Sequence, residues 1–242
     1  MRRRDLEAMG AVDAYHWWFV GKRLLFERLL SDRLHGPCPD ILDVGCGTGG
    51  ASFVFGTYGR VWSCDRSTTA LAIARRRGLT YLVAADGPAL PFPDARFDIV
   101  LAFDVIEHVD DDLAMLAELR RVARPGGLIA IHVPAWPQLW SSHDEVLGHR
   151  RRYTKESLEA ALRGADLEID YLGWSSATIF PVAVVARLLR PLLPVPRRQA
   201  DLFSLPGPLN ALMIRIYRLE ARWATSRGLP FGLSLAAVAR RP

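Results

Sequence analysis

The sequence predicts a doubly wound α/β fold, in which helices cover both faces of a largely parallel sheet. Short apolar runs alternate with segments of helical periodicity between residues 41 and 133, as repeated βαβ units require. The first run ends at Val44 and enters a turn of small residues, Gly45 to Gly50, where a ligand can approach the backbone. Later runs are followed by acidic residues, at the edge where such sheets bind ligands: Asp65, Asp86 and Asp104.

Length and composition favour one domain with an insertion. The chain has 242 residues, 50% of them hydrophobic, which suffices for one substantial core. The net charge of +5 is spread over short arginine runs, so no nucleic-acid partner is indicated. Cys38, Cys46 and Cys64 form no C-x-x-C pair, and Asp5 and Glu7 fall where a signal peptide needs an apolar run. We therefore expect a cytoplasmic protein.

The N-terminal segment, residues 1–36, is predicted to be a helical lid over the ligand pocket. Residues 11–35 place aromatic residues ahead of leucines at helical spacing, which indicates one aromatic-headed amphipathic helix. Trp18 is then a candidate substrate contact. The alternative is that the aromatic residues only pack the helix onto the sheet. Residues 36–39, Gly-Pro-Cys-Pro, end the helix.

The glycine turn alone does not identify its ligand. Gly45, Gly47 and Gly50 satisfy the dinucleotide pattern G-x-G-x-x-G, and Asp65 follows at the spacing of roughly 20 residues expected for a ribose contact. An NAD-dependent oxidoreductase is therefore one alternative. Asp43, however, would repel an anionic pyrophosphate and attract a cofactor that carries an ammonium and a sulfonium. This carboxylate favours S-adenosylmethionine.

The next elements are predicted in βα order. A helix over 49–58 precedes a strand over 60–64, and a helix over 67–77 precedes a strand over 80–84. Asp65 can accept both ribose hydroxyls, whereas a solvated turn residue is the alternative. Asp86 is a candidate acceptor for an adenine amino group, although Asp86-Gly87 is also an ordinary turn pair.

The fourth strand is predicted over 97–103, followed by a helix that reaches Arg124 and a fifth strand over 128–133. Asp104 adds a further carboxylate to the same edge of the sheet. His108 is a candidate substrate contact, and it is either a general base or, as we prefer, a hydrogen-bonded structural residue.

Residues 134–153 are predicted to be a loop above the reactive centre, because they leave the C-terminal end of the fifth strand. His143, Asp144 and His149 are candidate catalytic bases. Arg151 and Tyr153 are candidate substrate contacts, and the arginines could instead form a solvated cap on a helix over 154–163. We expect no metal site, because no third histidine or cysteine accompanies the two histidines.

Strands over 167–173 and 230–240 enclose an insertion at about 174–229. Its apolar run, 179–195, is broken by arginines and prolines and is too short to span a bilayer comfortably. A helix is predicted over 208–227. Residues 179–198 could make peripheral contact with a membrane, cap the acceptor pocket, or bury themselves in a homodimer.

Residues 43–49, Asp-Val-Gly-Cys-Gly-Thr-Gly, resemble the first motif of the class I S-adenosylmethionine-dependent methyltransferases. Residues 90–98 resemble the small-molecule branch of ubiquinone-biosynthesis type, and the aromatic head, the 143–153 loop and the 232–238 tail are similar to that branch. The resemblance implies a Rossmann-like seven-stranded sheet, mostly parallel with an antiparallel last strand, in a three-layer α/β/α domain over 37–242.

The resemblance also implies which residues hold the cofactor. Asp43 and the glycines should hold its amino acid portion, Asp65 its ribose and Asp86 its adenine. The implied cofactor contacts are Asp43, Gly45, Cys46, Gly47, Gly49, Asp65, Arg66, Asp86, Gly87, Phe103 and Asp104. We expect methyl transfer to an oxygen, before nitrogen or carbon, of a small or lipid-linked acceptor. A methyltransferase-fold module that binds a membrane or a partner without catalysis is the other alternative.

Overall fold

The computed structural model describes residues 3–35, 37–189 and 205–242. Its seven strands form one sheet in the order β3-β2-β1-β4-β5-β7-β6. The strands are β1 (Asp40–Val44), β2 (Arg60–Asp65), β3 (Tyr81–Ala84), β4 (Phe97–Phe103), β5 (Ala123–Pro134), β6 (Glu168–Ser175) and β7 (Ser234–Arg240). Only β7 runs antiparallel to its neighbours, β5 and β6. The predicted fold class is therefore confirmed.

Ten helices accompany these strands in the described part of the chain: α1 (Arg3–Val12), α2 (Trp17–Leu29), α3 (Ser31–Leu34), α4 (Gly50–Phe55), α5 (Thr68–Arg76), α6 (Asp112–Val122), α7 (Ser142–Leu147), α8 (Lys155–Gly164), α9 (Phe180–Leu189) and α10 (Gly207–Ser226). On one face of the sheet, buried side chains of α6 and α8 pack against β4 and β5. On the other face, α2, α4 and α10 contribute Phe26, Phe55 and Ala221 to a second cluster. Two apolar clusters on opposite faces give the three layers.

Strand register brings the ligand-binding ends together. Asp43 of β1 is aligned with Ser63 of β2 on one side and with Leu101 of β4 on the other. Because β1, β2, β3, β4 and β5 are parallel, their C-terminal ends share one edge. The turns that follow these strands therefore meet above a single site.

The N-terminal segment differs from the predicted single helix over 11–35. The structure has α1 and α2 as separate helices, and the second begins at Trp17. His16 has extended backbone, and its side chain accepts the N–H of Trp18 at 3.3 Å, so it acts as the N-cap. The aromatic cluster therefore marks the start of α2 rather than its middle.

The insertion packs against this N-terminal segment. A Cβ on Gly21 would lie 2.1 Å from the ring of Tyr217, so glycine permits the close approach of α2 and α10. Asn210 accepts the N–H of Trp17 and donates to the carbonyl of Tyr15, both at 2.9 Å. Residues 190–204, which include part of the predicted 179–198 membrane contact, lie outside the described residues.

No helix in the described ranges combines the length and the apolar character needed to cross a bilayer.

Residues 134–153 are not the plain loop that the sequence predicted. They contain a 3-10 turn over Pro137–Leu139 and the short helix α7. The N–H of Ser141 donates to the Asp144 carboxylate at 2.8 Å, which is one half of a capping box at the start of α7. The pattern Ser-x-x-Asp was the signal for this helix start, and an isolated bridge between Ala135 and Tyr153 closes the segment.

Candidate active site

The glycine turn between β1 and α4 is a strained cradle that only glycine fits. Gly45, Gly47 and Gly49 have φ values of 66°, 54° and 84°. A Cβ on Gly45 would also lie 2.5 Å from the side chain of Val105, so neither the backbone nor the packing admits a larger residue there. The N–H of Cys46 donates to the carbonyl of Cys64 at 3.0 Å, which fixes the turn against the end of β2.

Two carboxylates flank this cradle. Asp65 accepts the N–H of Gly47 at 2.8 Å and the N–H of Ser67 at 2.7 Å. Asp43 is buried and accepts the hydroxyl of Ser52 at 2.5 Å. Burial, and to a smaller extent the charge of Asp65, raise the pKa of Asp43 to about 7, against the effect of the Ser52 hydrogen bonds.

This environment fits a cationic cofactor and disfavours an anionic one. A ligand with an ammonium or a sulfonium would relieve the repulsion between the two carboxylates, whereas a pyrophosphate would add to it. The donor and acceptor chemistry present is therefore that expected for S-adenosylmethionine. Asp43 and the glycine turn would hold its amino acid portion, and Asp65 retains lone pairs for ribose hydroxyls.

The remaining predicted cofactor residues lie around the same edge without contacts that test their roles. Asp86 is exposed, and its carboxylate accepts the N–H of Gly87 at 3.0 Å. Arg66 lies near His108, and the positive charge of Arg66 helps to lower the pKa of His108. Phe103 packs on Phe26 with ring centroids 4.4 Å apart, so it contacts α2. The cofactor contacts of all four residues, Gly87 included, stay predictions.

The N-terminal segment is tied to the glycine turn through Asp13. This buried carboxylate accepts the hydroxyl of Thr48 at 2.5 Å and both terminal nitrogens of Arg77, at 2.8 and 2.5 Å. Arg23 of α2 donates to the carbonyl of Asp13 at 2.9 Å. The side chain of Met9 lies next to Gly47, so α1 also packs against this turn. These contacts support the prediction that the segment covers the cofactor.

Asp104, directly after β4, is the centre of a second polar network. Its φ of 57° is in the left-handed region, which a residue other than glycine rarely adopts. It forms an ion pair with Lys22 of α2, and its Oδ1 lies 2.6 Å from Nδ1 of His132. Burial alone would raise the pKa of Asp104, but Lys22 and His132 hold it well below its usual range. Asp104 is therefore a fixed negative charge at the sheet edge.

Two further residues with positive φ lie at neighbouring strand ends, namely Trp136 at 63° and Ser176 at 60°. The ring of Trp136 stacks on Trp174, with centroids 4.9 Å apart and an angle of 9° between the planes. Backbone strain of this kind is retained at functional sites when the surrounding packing enforces it. With Asp104, these residues make the ends of β4, β5 and β6 a further candidate part of the site.

Of the predicted bases, Asp144 is held as a structural anion. It is fully buried and accepts Nε of Arg152 at 2.7 Å, while Nδ1 of His149 lies 2.9 Å away. Burial would raise the pKa of Asp144, but His149 and Arg152 hold it well below its usual range. A carboxylate in this pairing orients His149 rather than collecting protons. His143, on α7, is half-buried.

The predicted substrate contacts also fall in different surroundings. Tyr153 is only 2% exposed and donates its hydroxyl to Asp112 at 2.7 Å, and its contact with the substrate stays a prediction. Arg151 binds Asp112 at 2.8 Å and fastens the 134–153 segment to the start of α6. The Trp18 ring meets Trp17 edge-on at 5.7 Å. His108 lies with Nδ1 3.3 Å from the carbonyl of Gly148.

Sequence reasoning missed four of the residues that build the site: Lys22, Asp13, Arg77 and His132. Two of them carried a signal. The chain has 31 basic side chains but only two lysines, Lys22 and Lys155, which singles out Lys22. His132 interrupts an apolar strand, where a polar residue needs a partner. Nothing in the sequence connects Asp13 to Arg77.

Comparison with known proteins agrees with this geometry. Residues 42–131 match a family model described as a methyltransferase domain. A protein of Mycolicibacterium smegmatis, named as a probable S-adenosylmethionine-dependent methyltransferase, is 31% identical over 159 residues, which cover 64% of this chain and 61% of that protein. The malonyl-[acyl-carrier protein] O-methyltransferase of Enterobacter lignolyticus is 35% identical over 51% of this chain and 53% of its own length. Other relatives are named N- and C-methyltransferases.

The chain thus spans 61% and 53% of the lengths of these first two relatives. In three dimensions it is similar to the geranyl diphosphate C-methyltransferase of Streptomyces coelicolor, solved with S-adenosyl-L-homocysteine, at a TM-score of 0.58 and 18% identity, with 90% of this chain and 78% of the other covered. At that identity the likeness shows the fold alone. Residues 42–131 are thus similar in sequence to a methyltransferase domain, and the chain shares the fold of this solved methyltransferase.

Proposed function

We propose that this protein transfers a methyl group from S-adenosylmethionine to an oxygen of a small or lipid-linked acceptor. The observation that carries the proposal is the pair of carboxylates, Asp43 and Asp65, beside a turn that only glycine fits. Bound S-adenosylmethionine supplies an activated methyl group and a neutral leaving group. The protein then has to align the acceptor and exclude water.

Support for the acceptor side comes from the polar residues at the ends of β4 and β5. An oxygen acceptor has to lose its proton, and the Asp104–His132 and Asp144–His149 pairs lie at this edge. Of the three predicted bases, the geometry favours His149, because Asp144 is engaged with Arg152 and orients the His149 ring. An oxygen is also the methylated atom in the name of the Enterobacter lignolyticus relative.

The cofactor half of the proposal is tested by calorimetry with S-adenosylmethionine, S-adenosylhomocysteine and NADH. We expect the first two to bind and NADH not to bind. The variant Asp43→Asn should lose affinity for S-adenosylmethionine, whereas Asp170→Asn, an exposed partner of Arg240, should bind as the parent does. Binding of NADH without binding of S-adenosylmethionine would overturn the proposal.

The acceptor half is tested by incubating the protein with cell extracts and S-adenosylmethionine that carries a deuterated methyl group. Mass spectrometry should find a product that has gained one labelled methyl group, and fragmentation should locate it on oxygen. A label on carbon or nitrogen would refute the oxygen assignment while leaving methyl transfer intact.

A lipid-linked acceptor is supported by the apolar surface of the insertion. Exposed apolar side chains lie along α9 and α10, among them Val182, Val185, Leu212, Leu219 and Trp223. We propose that this face makes peripheral contact with a membrane. Sedimentation with anionic lipid vesicles should retain the parent protein and release a Leu219→Ser, Trp223→Ser variant. A homodimer in size-exclusion chromatography, without vesicle binding, would assign the face to self-association instead.

A further inference from the structure

Glu107, His108 and His149 form a cluster of which the proposed function uses only His149. Glu107 and His108 lie in the 3-10 turn Ile106–His108 that follows β4, and His149 follows α7. The potential ligand atoms of the three side chains all lie within 4.8 Å of one another. The two imidazole rings are 4.8 Å apart between centroids, and the N–H of Arg150 donates to the carbonyl of Glu107 at 2.7 Å, which joins the two segments.

The Glu107 carboxylate lacks the partners that a buried acid requires. The residue is 0% exposed, and neither of its carboxylate oxygens has a hydrogen-bond partner in the described part of the chain. Leaving a polar group buried without a partner costs on the order of 1–3 kcal/mol, and more for a charged group. A carboxylate retained in such a place is explained by a ligand that binds it.

Each histidine of the cluster already has an oxygen beside one ring nitrogen. Nδ1 of His149 lies 2.9 Å from the Asp144 carboxylate, which Arg152 in turn fixes at 2.7 Å. Nδ1 of His108 lies 3.3 Å from the carbonyl of Gly148. Both rings therefore keep Nε2 for another ligand. In metal-binding histidines, the ring nitrogen that does not bind the metal commonly donates its N–H to a carboxylate or a carbonyl, and this contact orients the ring.

We propose that Glu107, His108 and His149 bind a divalent transition-metal ion such as Zn²⁺. Two imidazoles and one carboxylate suit Zn²⁺ and leave a coordination position open, whereas Mg²⁺ prefers oxygen ligands. In a tetrahedral site, metal–ligand bonds of about 2.0–2.2 Å separate two ligand atoms by about 3.3–3.6 Å. The ligand atoms of the cluster lie within 4.8 Å of one another, so the widest pair has to approach by about 1.2–1.5 Å when the metal binds. The expectation of no metal site considered only the 143–149 segment, and the proposal departs from it by adding the two residues after β4.

The position of this cluster suggests its chemistry, which rests on the proposed methyl transfer. Glu107 is three residues beyond Asp104, at the edge where we place the acceptor. An acceptor hydroxyl at the open coordination position becomes more acidic and releases its proton to water. Its oxygen then forms the bond to the methyl carbon while the carbon–sulfur bond breaks, and that electron pair stays on sulfur. His149 acts as a ligand here, in place of a general base.

Metal binding is tested on the tag-free full chain after dialysis against a chelator. We expect one Zn²⁺ per chain on back-titration, and Co²⁺ should give the visible bands of a low-coordinate site. Glu107→Gln and His149→Ala should each weaken Zn²⁺ binding by at least about 100-fold. Loss of a residue that only hydrogen-bonds to a metal ligand would weaken it less. The matched control is His35→Ala, an exposed histidine next to the carbonyl of Ser31, which should bind as the parent does.

Circular dichroism melts check that each variant is folded. If Glu107→Gln does not fold, His108→Ala, which alters a half-buried side chain, serves in its place. The proposal is overturned if the parent binds no stoichiometric metal, if it binds Mg²⁺ but not Zn²⁺, or if the ligand variants bind as His35→Ala does. Affinity for S-adenosylhomocysteine should be the same with and without metal. A chain that binds S-adenosylhomocysteine but no metal therefore refutes the metal site alone, and a chain that binds metal but no cofactor refutes the methyl transfer.

Discussion

Nδ1 of His132 lies 2.6 Å from Oδ1 of Asp104, across the ends of two adjacent parallel strands. The other ring nitrogen of His132 lies 3.1 Å from the hydroxyl of Ser175 on β6. The pair therefore connects β4, β5 and β6 at the edge where the acceptor is placed. Lys22 joins it from α2 through its ion pair with Asp104.

We predict that this network makes stability depend on pH below neutrality. Burial and Lys22 lower the pKa of His132, against the effect of Asp104, so the folded protein keeps the ring neutral. The unfolded chain binds a proton near pH 6.5, and the free energy of unfolding should therefore fall as pH drops below that value. Chemical denaturation at several pH values measures this, and His132→Asn should flatten the slope. An unchanged slope would contradict the neutral ring.

Lys22 and Asp104 should shift the His132 titration in opposite directions. Lys22→Met removes a charge that lowers the pKa of His132, and Asp104→Asn removes one that raises it. NMR titration of the ring protons should thus find a higher pKa in the first variant and a lower one in the second. Lys155→Met, at the other lysine, should leave the titration unchanged. Shifts of the same sign in both charge variants would exclude this arrangement.

Asp43 should lower stability while serving the cofactor. The pKa of Asp43 is about 7 in the folded protein, whereas the ordinary aspartate value is 3.8. Between pH 3.8 and about pH 7, the folded protein therefore keeps Asp43 protonated while the unfolded chain ionises it. The folded state binds the additional proton in this window, so Asp43 costs stability as pH rises, by roughly 4 kcal/mol above pH 7. Asp43→Asn should therefore be more stable than the parent at pH 8, with a gap that narrows toward pH 5. A less stable variant at pH 8 would show a structural carboxylate instead.

The same carboxylate should make cofactor binding pH-dependent. A cationic ligand favours ionised Asp43, so affinity for S-adenosylmethionine should increase from pH 6 to pH 8. Calorimetry across this range measures the trend. The Asp43→Asn variant supplies the control, because its weaker binding should not follow pH in the same way.

The contacts of Asp13 should control how long the cofactor stays bound. Asp13→Asn weakens the two-pronged contact with Arg77 that holds the N-terminal segment on the glycine turn. We expect dissociation of S-adenosylhomocysteine to accelerate by about tenfold, equivalent to about 1.4 kcal/mol. Stopped-flow fluorescence of the nearby tryptophans measures the rate. Thr48→Val, which removes one hydrogen bond from Asp13, should change it less.

Two neighbouring arginines should differ sharply in their effect on stability. Arg152 is 7% exposed and is paired with fully buried Asp144, so Arg152→Met leaves a buried charge without its partner. We expect a loss of about 3–5 kcal/mol in the free energy of unfolding. Arg150→Met removes an exposed pair with Asp110 and should cost less than about 1 kcal/mol. Equal losses in urea titrations would contradict the assigned pairing.

The cofactor half of the site was predictable because local signals carry it. Asp43, the glycine turn and Asp65 follow strands whose apolar content is clear, and parallel strands bring their ends to one edge. The contacts that join the N-terminal segment to the site were not predictable in the same way. The contact of Lys22 with Asp104 and that of Asp13 with Arg77 join segments far apart in sequence. Local periodicity contains no information about such pairs.

The helix boundaries show the same difference between local signals, which could be predicted, and side-chain contacts, which could not. The glycine after Arg77 and the prolines around residue 37 end helices as expected, whereas the start of α2 depends on the His16 side chain. Residues 134–153 were predicted to be a loop because they leave the C-terminal end of the fifth strand. The capping pattern that starts α7 at Ser142 is short and easily overlooked in such a segment.

The double contact of Asn210 with Tyr15 and Trp17 has a consequence for how ligands enter. This side chain from α10 accepts one backbone N–H and donates to one backbone carbonyl of the segment that precedes α2. A fluctuation that lifts the insertion therefore pulls on the N-terminal turn as well. If the N-terminal segment covers the cofactor and the insertion caps the acceptor, we expect release of the Asn210 contacts to open both sides of the site together.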